Sequence, residues 1–180
     1  MYFQQFPFLT YDAVGDGDYK VVTDLLKRVS LHAKARSVSS IYDTYDVRTG
    51  ETPEMVAYNI YGDTEYHWVI LLVNNITDRY HQWPMNNRQF LSHLAARYDN
   101  VDATHHYEIY QVSGDTTVKI DIGPTNVDAD GDTISNAVQI TNREYEESKQ
   151  DEIRKIRLLD PTYLAQFVEE FENLVSDTED

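Results

Sequence analysis

Residues 45–62 read Tyr45-Asp46-Val47-Arg48-Thr49-Gly50-Glu51-Thr52-Pro53-Glu54-Met55-Val56-Ala57-Tyr58-Asn59-Ile60-Tyr61-Gly62, and the local chemistry changes character twice along them. Tyr45 and Val47 alternate with Asp46 and Arg48, the period-two pattern of a short strand. Thr49-Gly50-Glu51 turns the chain, with Gly50 free to adopt a conformation that a Cβ would oppose. Thr52 is suited to cap the next helix, and Pro53 to open it, where a missing N–H costs nothing. That helix runs to Tyr61 and stops at Gly62. Its inward positions are expected at Met55, Ala57 and Ile60, with Tyr58 and Tyr61 on a neighbouring stripe. Asp63 then caps a second short helix. Trp68-Val69-Ile70-Leu71-Leu72-Val73 is apolar on every side, which predicts a buried helix. Ala57 is small enough to let the two helices approach closely.

Outward from this stretch, the N-terminus carries Tyr2, Phe3, Phe6 and Phe8, an aromatic tail that its own core or a partner must cover. Val22, Leu25, Leu26 and Val29 recur at helical spacing, which predicts one amphipathic helix from a cap near Asp18. A further helix is expected from Asn86 or Asn87, presenting Phe90, Leu94 and Tyr98. Between Thr104 and Ile140 the period becomes two. Tyr107–Val112 and Thr116–Ile122 flank Ser113-Gly114-Asp115 as a hairpin, and a third strand is expected after the acidic turn Asp128 to Asp132. Thr141-x-x-Glu144 is a capping box opening a charged helix expected to reach about Leu158. Asp160-Pro161 opens a last helix with Leu164, Phe167, Val168, Phe171 and Leu174 on one stripe, and the end from Ser176 to Asp180 is expected to be disordered. The expected organisation is 1–36 as aromatic tail and helix, 37–100 as the strand-helix-helix domain with its following helix, 101–140 as a β-hairpin region, and 141–180 as C-terminal helices.

Composition narrows the function classes. With 180 residues and no cysteine, the chain can build a core but has neither a disulfide framework nor a thiol nucleophile. Thirty-one acidic residues against fifteen basic ones leave a net charge of −16, which repels phosphate backbones and anionic lipid heads and argues against nucleic acid and membrane as partners. Charge is unevenly spread: residues 99–140 hold eight acids and only Lys119, whereas Lys20 to Arg36 hold five bases and only Asp24. Opposed patches of this kind suit docking between protein subunits. The first residues lack the basic segment of an export signal.

The motif of residues 45–74 resembles the LysM family, with Tyr45 and Val47 in its strand, Gly50 and Thr52 at its turn, Ala57 in its first helix, then Tyr61-Gly62, Trp68 and the closing Asn74. The resemblance implies an α+β fold: a LysM-like β-α-α unit with a small antiparallel sheet and flanking helices. Glu51 stands where the family has Asp, and the closing strand expected after Asn74 is missing, replaced by Asn75-Ile76-Thr77-Asp78-Arg79-Tyr80-His81-Gln82-Trp83-Pro84. With that segment, the aromatic N-terminus and the charged helix from Glu144 to Arg157, the chain resembles the LysM-containing baseplate wedge proteins of T-even-like contractile-tailed bacteriophages. The resemblance implies a structural subunit that clamps other baseplate wedge proteins and joins neighbouring wedges in a sixfold baseplate, with sheath-initiating subunits as further candidates. It implies a place in the virion tail after assembly in the host cytoplasm. The alternative is a peptidoglycan-binding LysM module of a cell-wall or lysis protein, disfavoured by the missing closing strand.

Other constellations stay structural. A calcium loop starting at Asp128 would need Gly and Glu where Thr133 and Gln139 stand, so Asp128, Asp130 and Asp132 read as a solvated hairpin tip. His32, His67, His81, His93, His105 and His106 form no zinc motif, and adjacent His105 and His106 are expected on opposite faces of a strand. No nucleophile elbow or phosphate loop occurs. No catalytic residue, metal or cofactor is expected. The candidate protein interface comprises Tyr2, Phe3, Phe6, Phe8, Tyr58, Tyr61, Tyr80 and Trp83, because Tyr and Trp join contact area to a polar handle.

Overall fold

A computed structural model of the chain describes residues 2–26, 29 and 39–176. Within them the fold is α+β, built from helices and small antiparallel sheets. A 3-10 turn at Tyr2–Gln5 precedes β1 (Phe8–Tyr11) and β2 (Lys20–Thr23). Then come β3 (Tyr42–Asp46), α1 (Pro53–Tyr61), α2 (His67–Val73), the single turn α3 (Arg79–Gln82) and α4 (Asn87–Arg97). The rest is β4 (Thr104–Tyr110), β5 (Lys119–Gly123), β6 (Val138–Thr141), α5 (Asn142–Arg154), β7 (Lys155–Leu159) and α6 (Leu164–Ser176).

Two expected helices are corrected. The segment expected to be helical from Asp18 begins as β2, antiparallel to β1 in the register Phe8 with Thr23 through Tyr11 with Lys20. β-branched Val21, Val22 and Thr23 favour the extended state once a partner strand is within reach. Leu25 and Leu26 follow in an exposed turn, and residues 27–28 and 30–38 lie outside the described residues. The charged helix expected to reach Leu158 stops at Arg154, and β7 takes over with alternating burial. There Ile156 and Leu158 turn into the core while Arg157 turns away from it. The 177–180 end is likewise outside the described residues.

The chain forms two compact units, residues 1–83 with 154–180, and residues 84–153. In the first, β3 and β7 pair from Tyr42 with Leu159 to Asp46 with Lys155. The strand paired with β3 thus comes from far along the chain rather than from directly after Asn74. One cluster joins Val47, Val56, Ala57, Ile70, Trp83, Ile156 and Leu158; the other joins Phe6, Trp68, Val69, Val73, Leu159, Phe171 and Val175. On α1, Val56 rather than Met55 faces inward beside Ala57, Met55 being exposed. On α6 the stripe ends on buried Val175, with Leu174 exposed.

The caps form as expected. Thr52 accepts from the Met55 N–H, and Gly62 closes α1 in the left-handed conformation at φ 79°. Asp63 caps the 3-10 turn that leads into α2. α2 ends less predictably, on Asn75 at φ 56°. The Ile76 N–H donates to Leu71 O at 2.8 Å and the Asn75 N–H to Leu72 O at 3.1 Å, the paired bonds of a Schellman ending with Asn in the usual glycine position.

In the second unit, β4 lies between β5 and β6, both antiparallel to it. The Asn86 side chain and the Gln89 side chain cap α4 reciprocally, and Thr141 with Glu144 do the same at the start of α5. Pro84 and Leu94 are the buried apolar residues of this unit among the described residues, accompanied by polar His106, Glu146 and Gln150.

Because Leu158 is buried on β7, Leu158→Ala is expected to cost about 2–5 kcal/mol. Leu174→Ala on the exposed flank of α6 should stay within about 0.5 kcal/mol of the parent. Chemical denaturation of the two variants checks this ordering.

Candidate functional site

The residues singled out between Tyr45 and Asn74 lie in one strand-helix-helix arrangement of the first unit, closed by β7, and most of them hold its elements to one another. Tyr45 donates its hydroxyl to the Glu51 carboxylate at 3.0 Å, while Glu51 also accepts from the Arg48 N–H across the turn that contains Gly50. Partial burial and then the adjacent Glu51 charge push the Tyr45 hydroxyl pKa above its ordinary value. Val47, Ala57 and Trp68 are buried. Tyr61 donates to Leu159 O at 3.0 Å, and its desolvation raises the hydroxyl pKa to about 12.

Asn74 has the most connected role. Its Nδ2 donates to Ile70 O and to Arg157 O, both at 2.8 Å, and its Oδ1 accepts from the Arg157 N–H at 2.8 Å. One amide side chain thus pairs with the β7 backbone as a neighbouring strand would, fastening the end of α2 to the closing strand.

The interface candidates divide by burial. Phe6 is buried, and Tyr2 packs edge-on to it and at 5.5 Å from both Trp68 and Phe171. Trp83 is 7% exposed, and its indole N–H donates to Glu51 O at 2.8 Å. Phe6 and Trp83 therefore belong to this chain's own core, and Tyr61 is committed to Leu159. Phe3, Phe8, Tyr58 and Tyr80 remain exposed, Tyr80 at 83%. Phe8 belongs to the β1–β2 ribbon, where Tyr11, Tyr19 and Val21 are exposed too. A groove of about 860 Å³ beside α2 has a floor that includes Tyr2, Phe3, Trp68, Leu71 and Ile76. Sequence reasoning missed Ile156, Leu158 and Leu159. Their apolar-polar-apolar alternation before Asp160-Pro161 was the available signal, masked by the helical charge pattern running into it.

The titratable groups of the second unit form a structural cluster. Glu146, buried on α5, accepts from the Tyr98 hydroxyl at 2.8 Å and meets His93 at 3.3 Å and Arg97 at 3.4 Å. Burial pushes its pKa up, but Tyr98, Lys149, His93 and Arg97 outweigh burial and hold the carboxyl below its ordinary range. His105 and His106, expected on opposite faces, are brought together by a register shift between Thr104 and His106. Their Nδ1 atoms lie 2.9 Å apart, so one donates and the other accepts. His105 stacks on Tyr145 at 3.7 Å, and the Lys149 ammonium lies 4.0 Å from the same ring. Among the described residues no group of His, Asp and Glu could hold a metal ion, and no helix is long and apolar enough to cross a membrane.

Desolvation, then the nearby His106 and Lys149 charges, lower the His105 pKa below 6.5. The unfolded chain then binds the proton first as pH falls, so this contribution is complete above about pH 6.5 and is lost as pH drops through that value. A nuclear magnetic resonance melt following Tyr145 should show the second unit weakening from pH 7 to about pH 5.5, and His105→Phe should flatten the dependence in that window. In the first unit, Trp83→Ala should cost about 3–5 kcal/mol of stability by denaturation, and Tyr80→Ala less than about 0.5 kcal/mol.

The model of the phage family described as base plate wedge protein 53 matches residues 1–176. No curated protein matches the chain.

Proposed function

We propose that this chain, which belongs to the base plate wedge protein 53 family, clamps other wedge subunits and joins neighbouring wedges of a sixfold phage baseplate. Membership over nearly the whole chain carries the coarser part plainly: it is a structural baseplate protein of the virion tail, and its partners are other baseplate proteins. The finer part is supported by the contrast within one aromatic set. Tyr2, Phe6, Trp68 and Trp83 make the first unit self-supporting, while Phe3, Phe8, Tyr58 and Tyr80 stand on its surface. Large rings left in water on a well-packed unit favour protein docking. Sheath-initiating subunits are included among the candidate partners, and assembly is placed in the host cytoplasm.

A second reading has one observation in its favour. β7 pairs antiparallel with β3, and read as the closing strand of a LysM-like unit it removes the objection that a missing strand disfavours peptidoglycan binding. Sugar binding does not follow from the fold alone. Purified chain mixed with insoluble peptidoglycan is expected to remain in the supernatant; saturable co-sedimentation competed by chito-oligosaccharides would establish the glycan reading instead.

The wedge reading is tested by Tyr58→Ala with Tyr80→Ala, and separately by Phe8→Ala. Exposed anchors of this kind each contribute ~2 kcal/mol to an interface, roughly thirtyfold in Kd. The variants should keep the parent melting temperature and lose incorporation into tails when they replace the parent chain during infection. Normal incorporation of all of them would overturn the assignment of these rings. Deleting residues 1–9 is a poorer test, since it removes Tyr2 and Phe6 from the core and should lower the melting temperature by itself.

A further inference from the structure

The second unit leaves one sheet edge and one sheet face whose chemistry defines an occupant. β5 is an edge strand of the β5-β4-β6 sheet. Its register sets Ile120 opposite Ile109 and Asp121 opposite Glu108. Successive side chains of a strand point to opposite faces, so β5 presents Ile120 on one face and Asp121 on the other. The Asp121 face is the one that carries buried His106, which packs edge-on to Tyr145 of α5. On the Ile120 face, Tyr107 and Ile109 are only half-buried and Ile120 is 42% exposed.

The core of this unit gives the exposed face its meaning. Among its described residues, buried Pro84 and Leu94 are joined by polar His106, Glu146 and Gln150, whereas both apolar clusters belong to the other unit. A three-stranded sheet draws its stability from an apolar face or a helix packed on it, and the apolar Ile120 face here is partly exposed. The charge is equally one-sided. Residues 84–153 hold thirteen acidic residues against five basic ones. Along the chain Asp115 precedes β5, Asp121 lies on it, and Asp128, Asp130 and Asp132 follow it, while Lys119 is already paired with Glu108 at 2.9 Å.

We propose that the β5 edge accepts a strand from another baseplate protein in which apolar and basic residues alternate. The added strand extends the Tyr107–Ile109–Ile120 face by one apolar row and sets its basic side chains beside Asp121 and the flanking acidic turns. Main-chain pairing supplies affinity, and alternate side chains supply selectivity. Charge decides the occupant: a second copy of this chain carries −16 itself, and nucleic acid is repelled by the same field. The inference rests on the wedge reading only for the partner being a baseplate protein, and it concerns a different unit from the exposed rings Phe8, Tyr58 and Tyr80.

The test uses the full chain and a blocked ten-residue peptide alternating Val and Lys, followed by amide chemical shifts. Two comparison peptides alternate Val with Glu and Gly with Lys. The Val-Lys peptide is expected to bind roughly tenfold or more tightly than either comparison, with shifts centred on Tyr107–Tyr110 and Lys119–Gly123. Ile120→Asp and Asp121→Lys should each weaken it roughly tenfold while leaving the spectrum folded, and Val14→Asp in the β1 to β2 connection should have no effect. Equal binding of the Gly-Lys peptide would reduce the site to nonspecific charge and overturn the proposal. So would shifts confined to residues 2–83, no binding at about 1 mM, or self-association through this sheet in sedimentation. None of these outcomes alters the tail-incorporation test, which rests on other residues.

Discussion

Five residue pairs, from Tyr42 with Leu159 to Asp46 with Lys155, join two strands separated by most of the chain. The first unit depends on that pairing. β3 alone would be a single extended segment beside two short helices, and α2 is too short to persist without tertiary contacts. With β7 in place, Ile156 and Leu158 pack into the cluster that holds Val47, Val56 and Ile70, while Leu159 joins the cluster of Trp68 and Phe171. The two clusters therefore share one strand, and loss of the strand would open both. Chain connectivity makes this affordable, because loop-closure entropy grows only logarithmically with the length of the intervening segment. A folded insertion of residues 84–153 adds little to the cost of closing β3 on β7.

Side chains secure β7 at two points and the turn after β3 at a third. Asn74 pairs with the Arg157 backbone, Tyr61 donates to Leu159 O, and Trp83 donates to Glu51 O at the turn between β3 and α1. The Tyr61 and Trp83 bonds satisfy partly buried polar groups that would otherwise be costly to hold away from water. This explains why several aromatic and amide residues of the motif serve the scaffold. A Trp and Tyr pair three residues apart, Tyr80 and Trp83, has opposite fates because the single turn α3 directs one ring outward and the other onto the Glu51 carbonyl.

The second unit is held differently. Buried Glu146 gathers Tyr98, His93 and Arg97, and His105 with Lys149 brackets Tyr145. A polar cluster of this type is directional and specific, but it contributes less than the same volume of packed hydrocarbon. A family that works inside a baseplate can tolerate such a unit, since protein partners contribute stability by binding the folded form.

Local signals in the sequence were sufficient wherever one stretch of chain decided the outcome. Thr52-Pro53 to Gly62, Asp63 before α2, Asn86 with Gln89 and Thr141 with Glu144 all became caps, because capping bonds span only three or four residues. The α+β class and the hairpin near Ser113-Gly114 were legible for the same reason. What the tertiary structure alone decided is every choice between two locally acceptable states. Val21 and Val22 could serve helix or strand until β1 lay beside them, and Lys155–Leu159 could continue α5 until β3 offered a free edge. Trp83 could face a partner or the core until the Glu51 carbonyl stood 2.8 Å from its indole nitrogen. A residue's own neighbours fix its propensity, but a strand partner or a buried acceptor comes from distant sequence, and the free energy of that contact exceeds the propensity it overrides.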